Sequence, residues 1–243
     1  MKFYEDCPPQ VFKIHSELLL ALSQLFAQGG ERLSHTLRSL VKSCSTIADH
    51  YNVEKMLLAN KVLAQYSEAD DDEYLVMRYE FNRLFVGPAT PVAPPYESVY
   101  LSPDHLVMGE QTLAVRKMYR QENLQAVGQR HEPDDFISTE LEFAAYLLSR
   151  IIEAQVAKNN AKIKLYKTLY HEFWQQHLGL WLGTFAHTVS QSAKHPVFSA
   201  LSDILVTLST LNAPLNTKEA QYETFAPQIS RGSSSCCLRS NSF

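Results

Sequence analysis

What most constrains this chain is the step at which its apolar residues recur. Val11, Ile14, Leu18, Leu22 and Leu25 follow one another at three- and four-residue intervals, until Gly29-Gly30 interrupts them. That interval places side chains on one face of an α-helix, not on one face of a strand. Leu33, Leu37, Leu40, Val41, Cys44 and Ile47 repeat it, and Met56, Leu57, Val62 and Leu63 do so more loosely. A fourth helix is expected after Asp70-Asp71-Asp72, carrying Leu75, Tyr79, Leu84 and Phe85. Acids belong at a helix start, where free N–H groups and the helix dipole favour negative charge. Further helices are predicted near Gln111–Gln121, along Ile137, Leu141, Ala144, Leu148 and Ile151, over Ile163–His177 and Trp181–Ser192, and along Phe198, Leu201, Leu205 and Leu208. No segment alternates apolar and polar residues as a half-buried strand does. The expectation is an all-α fold, a single globular multi-helix bundle over residues 1–212, with a possible hinge about 122–133. The polar segment 213–243 is expected to be a flexible tail.

One stretch breaks the helical pattern. Residues 86–108 hold Pro88, Pro91, Pro94, Pro95 and Pro103, five of the eleven prolines, and read as a long loop rather than a helix. Rigid prolines that hold Tyr96, Glu97 and Tyr100 beside a helix end could form a peptide-docking surface; equally, the tyrosines could pin the loop to the core. A second acidic stretch, Glu132-Pro133-Asp134-Asp135, opens the clearest helix, with Glu140 and Glu142 following. An Asp cap and first-turn acids account for part of this run, and an arginine-binding acidic site is the other reading.

Composition removes several classes. A net charge of −4 and a pI of about 6.1 do not suit a nucleic-acid binder. The four cysteines show no C-x-x-C spacing, and Cys236-Cys237 read as two exposed thiols in the tail. No apolar run approaches the roughly 18 residues of a membrane span, and Glu5 and Asp6 stand where an export leader needs apolar residues. A soluble, cytoplasmic protein is expected. Phosphate-loop, dinucleotide, nucleophile-elbow and H-E-x-x-H motifs are absent, so no enzymatic activity, no cofactor and no metal is expected.

The stretches Tyr79–Pro88, Pro94–Tyr100 and Glu132–Phe143 together carry a resemblance. An R-L-F-x-G-P helix end, a P-P-aromatic-E-S loop and an E-P-D-D segment leading into E-L-E-F, in this order, resemble the TorD/DmsD family of cytoplasmic redox-enzyme maturation chaperones. The resemblance implies an all-α, non-catalytic protein. Such a protein binds the twin-arginine signal peptide of a molybdenum-cofactor oxidoreductase and assists folding and cofactor insertion before export. It implies signal-peptide-binding positions at Phe81, Leu84 and Phe85 on the helix, at Pro95, Tyr96, Glu97 and Ser98 in the loop, and at Asp134 and Asp135. Two positions depart from the family pattern: Tyr96 stands where a Trp is common, and Phe136 where a His is usual.

The expected partner is the apo-form of a molybdoenzyme catalytic subunit, held through its twin-arginine leader. No nucleic acid and no stable membrane insertion are expected, and the chain would be a monomer or a domain-swapped dimer. Two alternatives stay open: a helical adaptor for a non-exported enzyme, and a hydrolase using Asp134, Asp135, Glu140 or Glu142.

Overall fold

The structure is a computed structural model that describes residues 7–126 and 132–212. It is helical wherever the apolar period is helical. The elements are α1 (Pro9–Ala27), α2 (Leu33–Tyr51), α3 (Glu54–Tyr66), α4 (Asp71–Phe81), α5 (Glu97–Leu101), α6 (Glu110–Gln121), α7 (Ile137–Val156), α8 (Asn160–Gln176), α9 (Leu178–Ser192) and α10 (Pro196–Asn212). A five-residue π-helical segment, Asn82–Val86, continues α4. Among the described residues there is no strand, only an isolated antiparallel bridge between Tyr96 and Phe136. No described helix is long and apolar enough to cross a membrane.

The ends of these helices follow from their sequences. Pro9 occupies the first turn of α1, where its missing N–H leaves no bond unmade. After α1, Gly29 and Gly30 adopt φ of 58° and 79°, a region that side-chain-bearing residues rarely enter. Gly30 is also needed for space, because a Cβ there would lie 3.3 Å from Phe81 Cγ. Asp70 caps α4 by accepting a hydrogen bond from Glu73 N at 2.9 Å, as its place in the acid run predicts.

The core is one continuous apolar cluster. α1 packs along α7, α2 along α3, α10 against both α9 and α3, and α8 against α7. Phe12, Phe81, Phe173, Phe185, Phe198, Tyr170, Trp174 and Trp181 are buried at its centre. The α1–α7 contact is close enough for side chains to bond across it. Ser16 Oγ donates to the Ala145 carbonyl at 3.2 Å, and the Ser23 and Ser138 hydroxyls meet at 3.0 Å.

Two expectations need correction. The proline-rich segment 86–108 is not loop throughout, since Glu97–Leu101 form the short helix α5. No Asp caps α7 either: the helix starts at Ile137, and its N-cap Phe136 offers no side-chain bond. The tail from residue 213, with Cys236 and Cys237, and residues 127–131 of the possible hinge fall outside the described residues.

Candidate functional site

The three motif segments converge at one end of α7. The π-helical segment is the first part. Its wider turn carries both Phe81 and Phe85 inward, with ring centroids 4.9 Å apart. Phe85 meets Phe26 of α1 at 5.3 Å and Phe185 of α9 at 5.8 Å. Arg83 holds the segment from outside: it makes two 2.8 Å bonds to Glu80 and one of 2.6 Å to the Ser192 carbonyl. That guanidinium lowers the Glu80 pKa below its ordinary value. Gly87, at φ 120°, then turns the chain out of the helix.

The loop folds back along the segment it has just left. Ala93 N donates to the Leu84 carbonyl at 2.8 Å, so Pro94 and Pro95 run beside the π-helical segment. At the far end of the loop the chain pairs with the E-P-D-D segment. Glu97 N donates to the Asp135 carbonyl at 3.1 Å, and Ile137 N to the Pro95 carbonyl at 2.9 Å. The Tyr96 and Phe136 rings lie 5.4 Å apart, and the Tyr96 hydroxyl donates to Glu132 Oε2 at 2.8 Å. Burial first, and the Glu132 carboxylate second, push the Tyr96 pKa up.

Beneath this bridge sits a buried polar cluster. Asp135 is fully buried; its Oδ2 accepts from Ser98 N at 2.9 Å and its Oδ1 from Thr112 Oγ1 at 2.7 Å. Asp135 therefore caps α5 and ties it to α6. His177 Nδ1 lies 3.1 Å from both carboxylate oxygens of Glu97, with both side chains buried. Trp181 Nε1 donates to Glu140 Oε2 at 3.1 Å, while Glu140 Oε1 is buried with no hydrogen-bond partner among the described residues. Burial raises the Glu140 pKa well above the carboxylate range, with the charge of Glu97 adding to it, which favours the protonated form. Burial also raises the Glu97 pKa, and the bond to His177 opposes that rise.

Above the bridge lies a groove of about 1050 Å³. Phe26, Phe81, Phe85 and Phe136 supply its apolar lining, together with Pro91, Pro95 and Tyr96. Arg32 and Arg78 stand on the side of the α1–α2 turn and α4, where Arg78 lies 3.7 Å from Glu31; Glu132 and Glu142 stand on the α7 side.

Of the nine positions implied by the resemblance, Phe81, Phe85, Pro95 and Tyr96 line this groove. Leu84 is core, and Glu97, Ser98 and Asp135 lie buried under the groove, holding its floor together. Asp134 faces elsewhere: it lines a neighbouring depression of about 640 Å³, and its Oδ2 is bound by Arg116 at 2.6 and 2.7 Å. The fold brings to the groove Phe26, Glu31, Arg32 and Arg78, which sequence reasoning did not single out. Their one sequence signal is position, since they flank the Gly29-Gly30 turn or share a helix with Phe81. Of the four acids open to the hydrolase reading, Asp135 and Glu140 have no solvent access.

The family model described as nitrate reductase delta subunit matches residues 44–187, a span that contains all three motif segments. The Tat proofreading chaperone DmsD of Salmonella typhimurium is 31% identical over 139 residues, which is 56% of this chain and 60% of that protein. The chaperone protein TorD of Vibrio vulnificus is 25% identical over 142 residues, 58% of this chain and 65% of that protein. The chain thus spans about 60% of the length of such curated relatives. A crystal structure described as that of a redox enzyme maturation protein from Archaeoglobus fulgidus superposes with a TM-score of 0.48 at 18% identity, over 79% of this chain and 92% of that one. With the family match covering residues 44–187 and the three motifs meeting at one groove, the chain belongs to the nitrate reductase delta subunit family, in the group of the TorD/DmsD proteins.

Proposed function

We propose that this protein is a redox-enzyme maturation chaperone whose groove holds the twin-arginine leader of a client oxidoreductase. The client would be the apo-form of a molybdoenzyme catalytic subunit, kept from export until its cofactor is in place. The observation that carries this reading is the groove itself, open to solvent, lined by aromatics and prolines, and charged on two sides. A leader of this kind is a pair of arginines followed by an apolar run. It needs apolar walls to remove that run from water and carboxylates to meet the arginines. Relatives named as Tat proofreading chaperone and chaperone protein TorD support the same reading.

Binding here is a matter of burial and position rather than bond chemistry. Each Leu- or Phe-sized group of the leader that enters the groove contributes about 1.5–3 kcal/mol. Prolines and the Tyr96–Phe136 bridge hold the walls rigid, so little ordering is left to be done when the peptide arrives.

Fluorescence anisotropy of a labelled leader from an exported molybdoenzyme tests the proposal. Tyr96→Ala removes a groove ring and a hydrogen bond to Glu132, and should weaken binding by about tenfold. Unchanged affinity in that variant would place the leader away from the groove.

A further inference from the structure

The groove has a polarity that its motifs do not announce. We infer that Glu142 is the residue that reads the leader's arginines, a role the motif resemblance implies for Asp134 and Asp135. The inference rests on the leader-binding function proposed above.

Most of the carboxylates in the three motif segments are already engaged. Asp135 is buried, and both of its oxygens already accept bonds from Ser98 and Thr112. Asp134 carries Arg116 as its counter-ion and faces the neighbouring depression. Glu97 and Glu140 are sealed in the cluster below. A guanidinium in the groove reaches none of these without breaking an existing bond. Three acids do line the groove. Glu31 has Arg78 beside it, and Glu132 accepts the Tyr96 hydroxyl. Glu142 alone of the three makes no hydrogen bond or ion pair with any described residue, and it is solvent-exposed.

Its place on the helix completes the case. Ser138, Thr139 and Glu142 line the groove, and positions three and four apart share one face of a helix. The opposite face, with Ile137, Leu141, Ala144 and Leu148, is buried in the core. Glu142 is therefore fixed to a rigid helix and lines the same groove as Tyr96 and Phe136, whose rings lie 5.4 Å apart. We place the arginine's stem on those rings and its guanidinium at Glu142, a carboxylate that pairs with no described residue. Planar stacking plus a two-point bond is what arginine offers and lysine does not. Arg32 and Arg78 on the other side repel the same pair, which sets the direction in which the leader lies.

The test is a double-mutant cycle by isothermal titration with the full chain. The probe is a synthetic peptide with two adjacent arginines ahead of a leucine- and alanine-rich run, and its counterpart with both arginines replaced by glutamine. Glu142→Gln should weaken the arginine peptide about fivefold at low salt, the scale of an exposed charge pair, and leave the glutamine peptide unaffected. The loss should shrink at high salt. Glu132→Gln should change both peptides equally. If Glu142→Gln binds the arginine peptide as wild type does, or if the coupling appears in Glu132→Gln instead, the inference is overturned while the functional proposal stands. If wild type binds neither peptide, the functional proposal fails and the inference fails with it.

Discussion

Asp135 looks on paper like a surface acid, and its neighbours turn it into a structural one. Its two oxygens are the only described partners of Ser98 N–H and the Thr112 hydroxyl. Asp135→Ala leaves both donors buried and unpaired, so it should destabilise the fold by roughly 2–4 kcal/mol in urea denaturation. Glu140 gives the opposite expectation. In the folded chain burial keeps it protonated, whereas in the unfolded chain it ionises near its ordinary value of 4.5. Folding therefore takes up a proton above that pH, and stability falls as pH rises from about 4.5 toward the raised folded value. Glu140→Gln cannot ionise, and it keeps an oxygen for Trp181. Its stability relative to wild type should grow as pH rises through that window, measured by denaturation at a series of pH values. A gap that stays constant with pH would mean that Glu140 is ionised in the fold.

At the scale of elements, the site depends on one irregular helix. The π-helical segment Asn82–Val86 turns Phe81 and Phe85 inward together, and such segments are often found at functional sites. It stops at Gly87, where φ is 120° and a Cβ would come within 2.8 Å of the Ala89 carbonyl oxygen. Because that atom is backbone, it cannot swing aside. Gly87→Ala should cost about 1–3 kcal/mol in thermal denaturation and weaken leader binding, since the loop that follows forms a groove wall. The R-L-F-x-G-P stretch was readable as a helix end, but its π turn was not. Helical apolar spacing looks the same until the extra residue is counted against the core. Likewise α5 hid inside a proline-rich run, because its start is capped by Asp135, 37 positions away in the chain.

For the whole molecule, the groove exists because α1 and α7 pack closely and end near the same place. Ala21, Ala144 and Ala145 are buried small residues on these two helices. Ala145→Leu would push the helices apart where Ser16 now reaches the Ala145 carbonyl. We expect a loss of about 1–3 kcal/mol from overpacking, together with weaker leader binding as the walls shift. Circular dichroism and peptide titration on the same sample check both halves. The sequence by itself determined the helical class and nearly every helix, because a 3.6-residue apolar period depends only on near neighbours along the chain. Its prolines and acids also marked the loop and the acidic stretch, and the family resemblance added the Tyr79–Pro88 helix end. The sequence could not decide which acids face the groove. Asp134 and Asp135 stand side by side in the chain, yet one pairs with Arg116 on α6 and the other caps α5 from beneath. Glu142, seven residues beyond Asp135, is left exposed at the groove because the rest of α7 turns its apolar face to α1. Burial and pairing are set by elements far apart in sequence, so only the tertiary structure could separate the acids that build this site from the one that pairs with no described residue.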